Sequence, residues 1–178
     1  MKKPVALVLG LLLLILLGTV VGGMWYLNKQ VYRDPADVIA AADAIWPLKI
    51  PADMPPDIAI DLFGAEGAHF GTMEPVKNMI YVARFPVVEN PDGVVNWNFK
   101  LEEDWEEFGL TEVASGTYQV PYKDEILQAE FREGEDVDGV VYRSILLMRR
   151  DGEGHEISVG WFGPGESATE ARFLSMFE

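Results

Sequence analysis

The stretch Val140–Phe162, VVYRSILLMRRDGEGHEISVGWF, decides how this chain is read. Val140 to Met148 and Ile157 to Phe162 are runs rich in β-branched, aromatic and aliphatic residues, and Asp151-Gly152-Glu153-Gly154 between them carries the turn residues that close a hairpin. Working outward, Thr117 to Tyr122 and Ile126 to Phe131 read as two further strands. Met79-Ile80-Tyr81-Val82-Ala83-Arg84-Phe85 is a clear strand stopped by Pro86. Leu48-Lys49-Ile50 and Ile58 to Phe63 read as short strands on either side of the turn-rich Pro51 to Pro56. Gly64 to Gly71 reads as a loop or a short strand around His69-Phe70.

Three helices are expected among these strands. Asp34-Pro35-Ala36-Asp37 supplies an acceptor at the N-cap, proline at the first helical position and a carboxylate near the positive end of the dipole. Val38, Ile39, Ala42, Ile45 and Trp46 then recur on one side until Pro47. Trp97, Leu101, Trp105 and Phe108 mark a second amphipathic helix with Gly109 at its C-cap. Ser167-Ala168-Thr169-Glu170 is a capping box for a closing helix that buries Phe173, Leu174 and Phe177. Helix, strands, helix, strands, helix predicts an α+β fold, an antiparallel sheet flanked by helices in the manner of an α/β/α sandwich.

Ile50-Pro51 after the first helix, the strand hairpins, and Gly163-Pro164 followed by Phe173-Leu174-Ser175-Met176-Phe177 resemble uncharacterised membrane-anchored bacterial proteins. The arrangement is also similar to the sandwich of the lumenal extrinsic P subunit of photosystem II. The resemblance implies a fold and no chemistry.

From Pro4 to Asn28 there is no charge, and Val5 to Leu27 is continuously apolar or small. As a helix rising about 1.5 Å per residue, that segment spans roughly 35 Å, enough for a hydrocarbon core of about 30 Å with modest tilt. Trp25 and Tyr26 then sit where aromatic rings favour the headgroup level. The expectation is a single-pass transmembrane signal-anchor. Lys2 and Lys3 leave the N-terminus cytoplasmic and the domain extracytoplasmic by the positive-inside rule. The alternative is secretion after signal cleavage, although no A-x-A-like site follows the run. Residues 1–33 thus form tail, anchor and juxtamembrane segment, and 34–178 a single acidic domain. Gly18 and Gly22 form a G-x-x-x-G pair that would let two such helices approach and dimerise. Adjacent Gly23 equally fits a segment that is merely flexible near the interface.

Lys2, Lys3, Lys29 and Arg33 precede the domain, which therefore carries 10 basic against 29 acidic residues, a net of −19. Nucleic acid needs a basic face and is excluded as a partner, whereas solubility and mutual repulsion account for the charge. The absence of cysteine removes disulfides and lipoprotein processing. His69 and His155 stand apart, with no zinc-type clustering, and Ser115, Ser144 and Ser158 lack any nucleophile motif. Gly160 to Gly165 lack the Gly-Lys-Ser/Thr of a phosphate loop. Glu133 to Asp138 fails as an EF-hand, since Gly134 and Ile145 fall at the first and twelfth ligand positions, and reads as a solvated acidic turn rather than a calcium loop. Trp46, Trp97 and Trp105 belong to apolar helical stripes, and Trp161 is unassigned. No catalytic, cofactor or metal residue is nominated.

The expectation for function is a membrane-tethered extracytoplasmic module that binds or helps assemble a partner protein, contacting the bilayer only through its N-terminal segment. The alternative is an envelope hydrolase built on paired carboxylates or on His69 with Asp61 or Glu66.

Overall fold

In the computed structural model, the described residues are Tyr26, 29–62, 64–72, 77–90, 93–95, Trp105 and 109–178, with the backbone alone for 88–90 and 93–95. Ten strands are found among them: β1 Val31–Tyr32, β2 Pro56–Leu62, β3 Ala65–Thr72, β4 Asn78–Pro86, β5 Val88–Asn90, β6 Gly93–Val95, β7 Thr111–Tyr122, β8 Glu125–Glu135, β9 Val141–Arg150 and β10 His155–Pro164. Helix α1 runs Pro35–Ile45 and α2 runs Glu170–Ser175. Eight strands form one sheet in the order β1-β2-β3-β4-β10-β9-β8-β7, every neighbouring pair antiparallel, and β5 and β6 form a separate ribbon.

Register and alternation assign the two faces. Val159 opposes Val82 on one side and Leu147 on the other, Trp161 opposes Ile80 and Ile145, and Ala129 opposes both Leu147 and Tyr118, so these residues share a face. That face meets Val38, Ala42 and Ile45 of α1, Trp46 and Met54 of the segment after it, and Phe173, Met176 and Phe177 at the C-terminal end. The opposite face buries Ala83, Ser144, Ser158 and Phe162. Trp105 lies there too, edge-on to Phe162 at 6.4 Å, and a Cβ on Gly134 would meet its ring at 2.6 Å.

The expected α+β sandwich is corrected by this architecture. The described chain is mostly an eight-stranded antiparallel sheet with only two short helices, and both pack on the same face. The cause is strand length. Glu125–Glu135 and Thr111–Tyr122 continue well past the apolar cores recognised in sequence, through polar residues that alternate outward. Against the transmembrane, single-pass expectation stands the finding that among the described residues no helix is long and apolar enough to cross a membrane, which says nothing of spanning by strands. Residues 1–25, including Gly18 and Gly22, lie outside the described residues. β1 falls within the segment 1–33 assigned to tail and anchor, yet it pairs with Ile60 and Ala59 of β2, and Asp61 N–H donates to the Gln30 carbonyl at 2.9 Å.

Local signals for the helices fare unequally. Asp34 Oδ1 accepts from Ala36 N–H at 2.9 Å with Pro35 following, as expected, although Ile39 faces solvent. The closing helix is capped by Thr169, whose Oγ1 accepts from Arg172 N–H at 3.3 Å, and not by Ser167. Ser167 instead belongs to the turn after β10, donating its N–H to the Pro164 carbonyl at 2.8 Å. Leu48-Lys49-Ile50 is not a strand; Lys49 N–H donates to the Met176 carbonyl and so ties this segment to the C-terminus. Of the expected helix through Trp97, Leu101 and Phe108, only Trp105 is described. Leu110 N–H donates to the Trp105 carbonyl at 3.1 Å, and Gly109 takes a positive φ of 60°.

Candidate functional site

Asp151, Glu153 and His155 each bring one potential metal-ligand atom to within 4.8 Å of the others, the only such group among the described residues. The β9–β10 loop builds it. Asp151 Oδ1 accepts from the backbone N–H groups of Glu153 at 2.9 Å and His155 at 2.8 Å, which closes the turn and leaves Oδ2 facing His155 Nδ1 at 3.2 Å. Those N–H bonds, that of His155 foremost, hold the Asp151 carboxyl below its ordinary pKa, with the charges of His155 and Arg84 adding to the effect.

A cation already occupies the centre of this group. Arg84, brought from β4 by pairing against Ile157, places Nη2 at 2.7 Å from Glu153 Oε2, 3.2 Å from Asp151 Oδ2 and 3.1 Å from His155 Nδ1. A guanidinium only donates, so a bond to His155 requires the bare Nδ1 of a neutral ring, whereas a bond from His155 to Asp151 requires Nδ1–H. The two contacts exclude each other. Val87 N–H also donates to the Gly154 carbonyl at 3.0 Å. The cluster therefore clamps the β9–β10 loop to the end of β4, and a divalent ion would have to displace the arginine.

The histidine nominated for a hydrolase meets a different carboxylate. His69 Nδ1 lies 3.1 Å from Asp57 Oδ2, with the Asp57 side chain half exposed. Asp61 and Glu66 oppose each other farther along the β2–β3 hairpin, and Glu66 opposes Arg84 across β4. The acidic run is similarly absorbed. Asp136 Oδ1 accepts from Asp138 and Val140 N–H at 2.9 Å each, and Glu133 is bound by Arg143, which also donates to the Ala168 carbonyl at 3.0 Å. Trp46 and Trp105 are buried as expected, while Trp97 lies outside the described residues. Trp161 is fully buried, donates from Nε1 to Asn78 Oδ1 at 2.9 Å, and lies under the Arg172 guanidinium at 4.9 Å.

A second candidate is backbone rather than side chain. β7 is the last strand of the sheet, and no strand among the described residues pairs with its outer side. Ten consecutive residues, Val113 to Tyr122, carry no charge, in a chain of net −15. Tyr122 and Glu125 flank the two-residue turn Lys123-Asp124, with Lys123 at φ 52°, and the residues flanking such a turn form a hydrogen-bonded pair. Alternation then aims the backbone groups of Val120, Tyr118 and Gly116 at β8, and those of Gln119, Thr117 and Ser115 away from the sheet. Pro121, without an N–H, falls on an outward position, where an edge tolerates it. Ser115, Thr117, Gln119 and Pro121 are all exposed.

No family model and no curated protein matches this chain, so function is argued from this geometry alone. Neither candidate was nominated from sequence. Arg84 lies 71 residues from His155, and only the sheet register joins them. The edge had a signal in the uncharged run Val113 to Tyr122, but which strand stands last depends on pairing order.

Proposed function

We propose that the domain is a binding module that docks an extended segment of protein along the outer side of β7. The observation that supports this is the run of outward backbone groups at Ser115, Thr117 and Gln119 on a strand paired on one side only among the described residues. An added strand would satisfy those groups, and the uncharged run spares it the repulsion the rest of the acidic surface imposes. The extracytoplasmic, membrane-associated placement is part of the proposal and rests on the sequence of residues 1–33. The rival hydrolase rests on His69 with Asp61 or Glu66, whereas His69 meets Asp57 and Arg84 fills the Asp151 group.

A photoreactive side chain at Gln119, compared with one at Gln128 on β8, tests the reading in cells. Gln128 opposes Gln119 from β8, one strand in from the edge. Adducts from position 119 and few from 128 are expected. Equal yields at the two positions, or no adduct from either, would refute docking at the edge.

A further inference from the structure

We infer that the segment docked on β7 is β7 of a second copy of this chain, paired antiparallel about a two-fold axis at Thr117. The inference rests on the edge reading above and names its occupant.

The strand is self-complementary in this register. Two-fold antiparallel pairing at Thr117 sets Thr117 against Thr117 of the other copy and Ser115 against Gln119, in both directions. All of these positions aim their backbone groups outward, so each becomes a doubly hydrogen-bonded pair. Thr–Thr and small polar pairs are favourable cross-strand neighbours. One step farther, Pro121 falls opposite Val113. Pro121 has no N–H to give, and Val113 is the extra residue of the bulge between Glu112 and Ala114, unpaired in the ladder with β8. The ladder thus ends at both sides where each copy lacks a regular group, and two exposed apolar side chains meet there. Beyond that, Glu112 falls opposite Tyr122 of the other copy, one residue along from Lys123, so the one acidic residue of the strand comes beside the one cation adjoining it. A shift by two residues loses this pattern: in one direction it brings Pro121 opposite Ser115, and in the other it carries the bulge residue Val113 opposite Gln119, into the paired region.

Edge bulges and prolines ordinarily discourage strand addition. Here they sit four residues on each side of Thr117 and limit pairing to one register. The seam lies in the uncharged run, the part of the acidic surface where two copies repel least.

The chain has no cysteine, so single replacements report the register directly. In a hydrogen-bonded antiparallel pair the Cα atoms lie about 5.5 Å apart, within disulfide reach. Two copies of position 115 would be displaced by four residues, about 14 Å at about 3.4 Å per residue, beyond reach. The full chain bearing Thr117→Cys, oxidised in mild detergent, is expected to form a covalent dimer. Ser115→Cys alone is expected to stay monomeric, and an equimolar mixture of Ser115→Cys and Gln119→Cys to form a mixed dimer. A monomeric Thr117→Cys, or Ser115→Cys dimerising as readily as Thr117→Cys, would overturn the inference. If position 119 captures a different protein while Thr117→Cys stays monomeric, docking at the edge stands and its occupant is not a second copy. If position 119 captures nothing as well, both readings fall.

Discussion

β10 and β7 are strands of ten and twelve residues in one sheet, and they place opposite demands on sequence. β10 pairs on both sides, and seven consecutive residues from Ile157 to Gly163 are buried, with core on one face and Phe162 and Ser158 covered on the other. In β7 only Val120 is buried, and Ser, Thr, Gln and Pro occupy the outward positions. What differs is the number of neighbours. A central strand has its specificity enforced by packing on two faces and two edges, whereas an end strand is constrained on one edge and is free to carry a binding function on the other.

The largest expected effect lies in β10. Trp161→Ala should cost about 3–5 kcal/mol, since it removes a fully buried indole, its bond to Asn78 and the surface beneath Arg172. Denaturant unfolding measures this, and a loss under about 1 kcal/mol would mean that the two faces of the sheet are not rigidly packed.

A paired glycine substitution sharpens the contrast. A Cβ on Gly160 would fall on the Tyr81 ring between two paired strands, and one on Gly116 would meet the Phe131 ring at 2.7 Å near the open edge. Gly160→Ala is expected to cost about 2–3 kcal/mol and Gly116→Ala distinctly less, because the Phe131–Tyr118 stack can shift outward. Equal melting-temperature losses would break the comparison.

The β9–β10 loop should titrate. Asp151 is held below its ordinary pKa of 3.8 by backbone N–H groups, and Asp53 is lowered in the same direction, chiefly by the hydrogen bond from Arg172. A depressed carboxyl contributes stability that is present above pH 3.8 and is lost as pH falls through the folded-state value. The native protein should therefore lose melting temperature below pH 3.8 more steeply than Asp151→Ala, which is already less stable at neutral pH. Parallel pH profiles for the two would show that the hydrogen bonds received by the Asp151 carboxylate contribute nothing to stability.

The smallest effect is reserved for the edge. Thr117→Lys should change stability by less than about 0.5 kcal/mol, as an exposed surface site does, while abolishing crosslinking at position 119. A large stability loss would mean that position 117 is packed in the isolated chain, and the edge would not be open.

The residues show what was legible. The N-cap at Asp34, the β9–β10 turn and the burial of Trp46 and Trp105 follow from local chemistry, because a cap, a turn and an apolar stripe are each complete within a few residues. The α+β expectation failed where the pattern was non-local. β3, rich in Gly and Ala, and the polar ends of β7 and β8 carry little strand propensity, and they are strands because neighbours supply the ladder. Ser167 and Thr169 both satisfy a capping pattern, and only the path of the chain after Pro164 selects Thr169.

The sequence by itself determined the composition of this protein's surface and most of its strand centres: an acidic domain without cysteine, with alternating apolar runs bounded by turns. Only the tertiary structure decided that Arg84 enters the Asp151 group, that His69 meets Asp57 instead of Asp61 or Glu66, and that β7 rather than another strand ends the sheet. Periodicity records which face of an element is apolar, but not which element lies beside it; that order is set by the summed fit of side chains across every interstrand pair, and no single segment contains it.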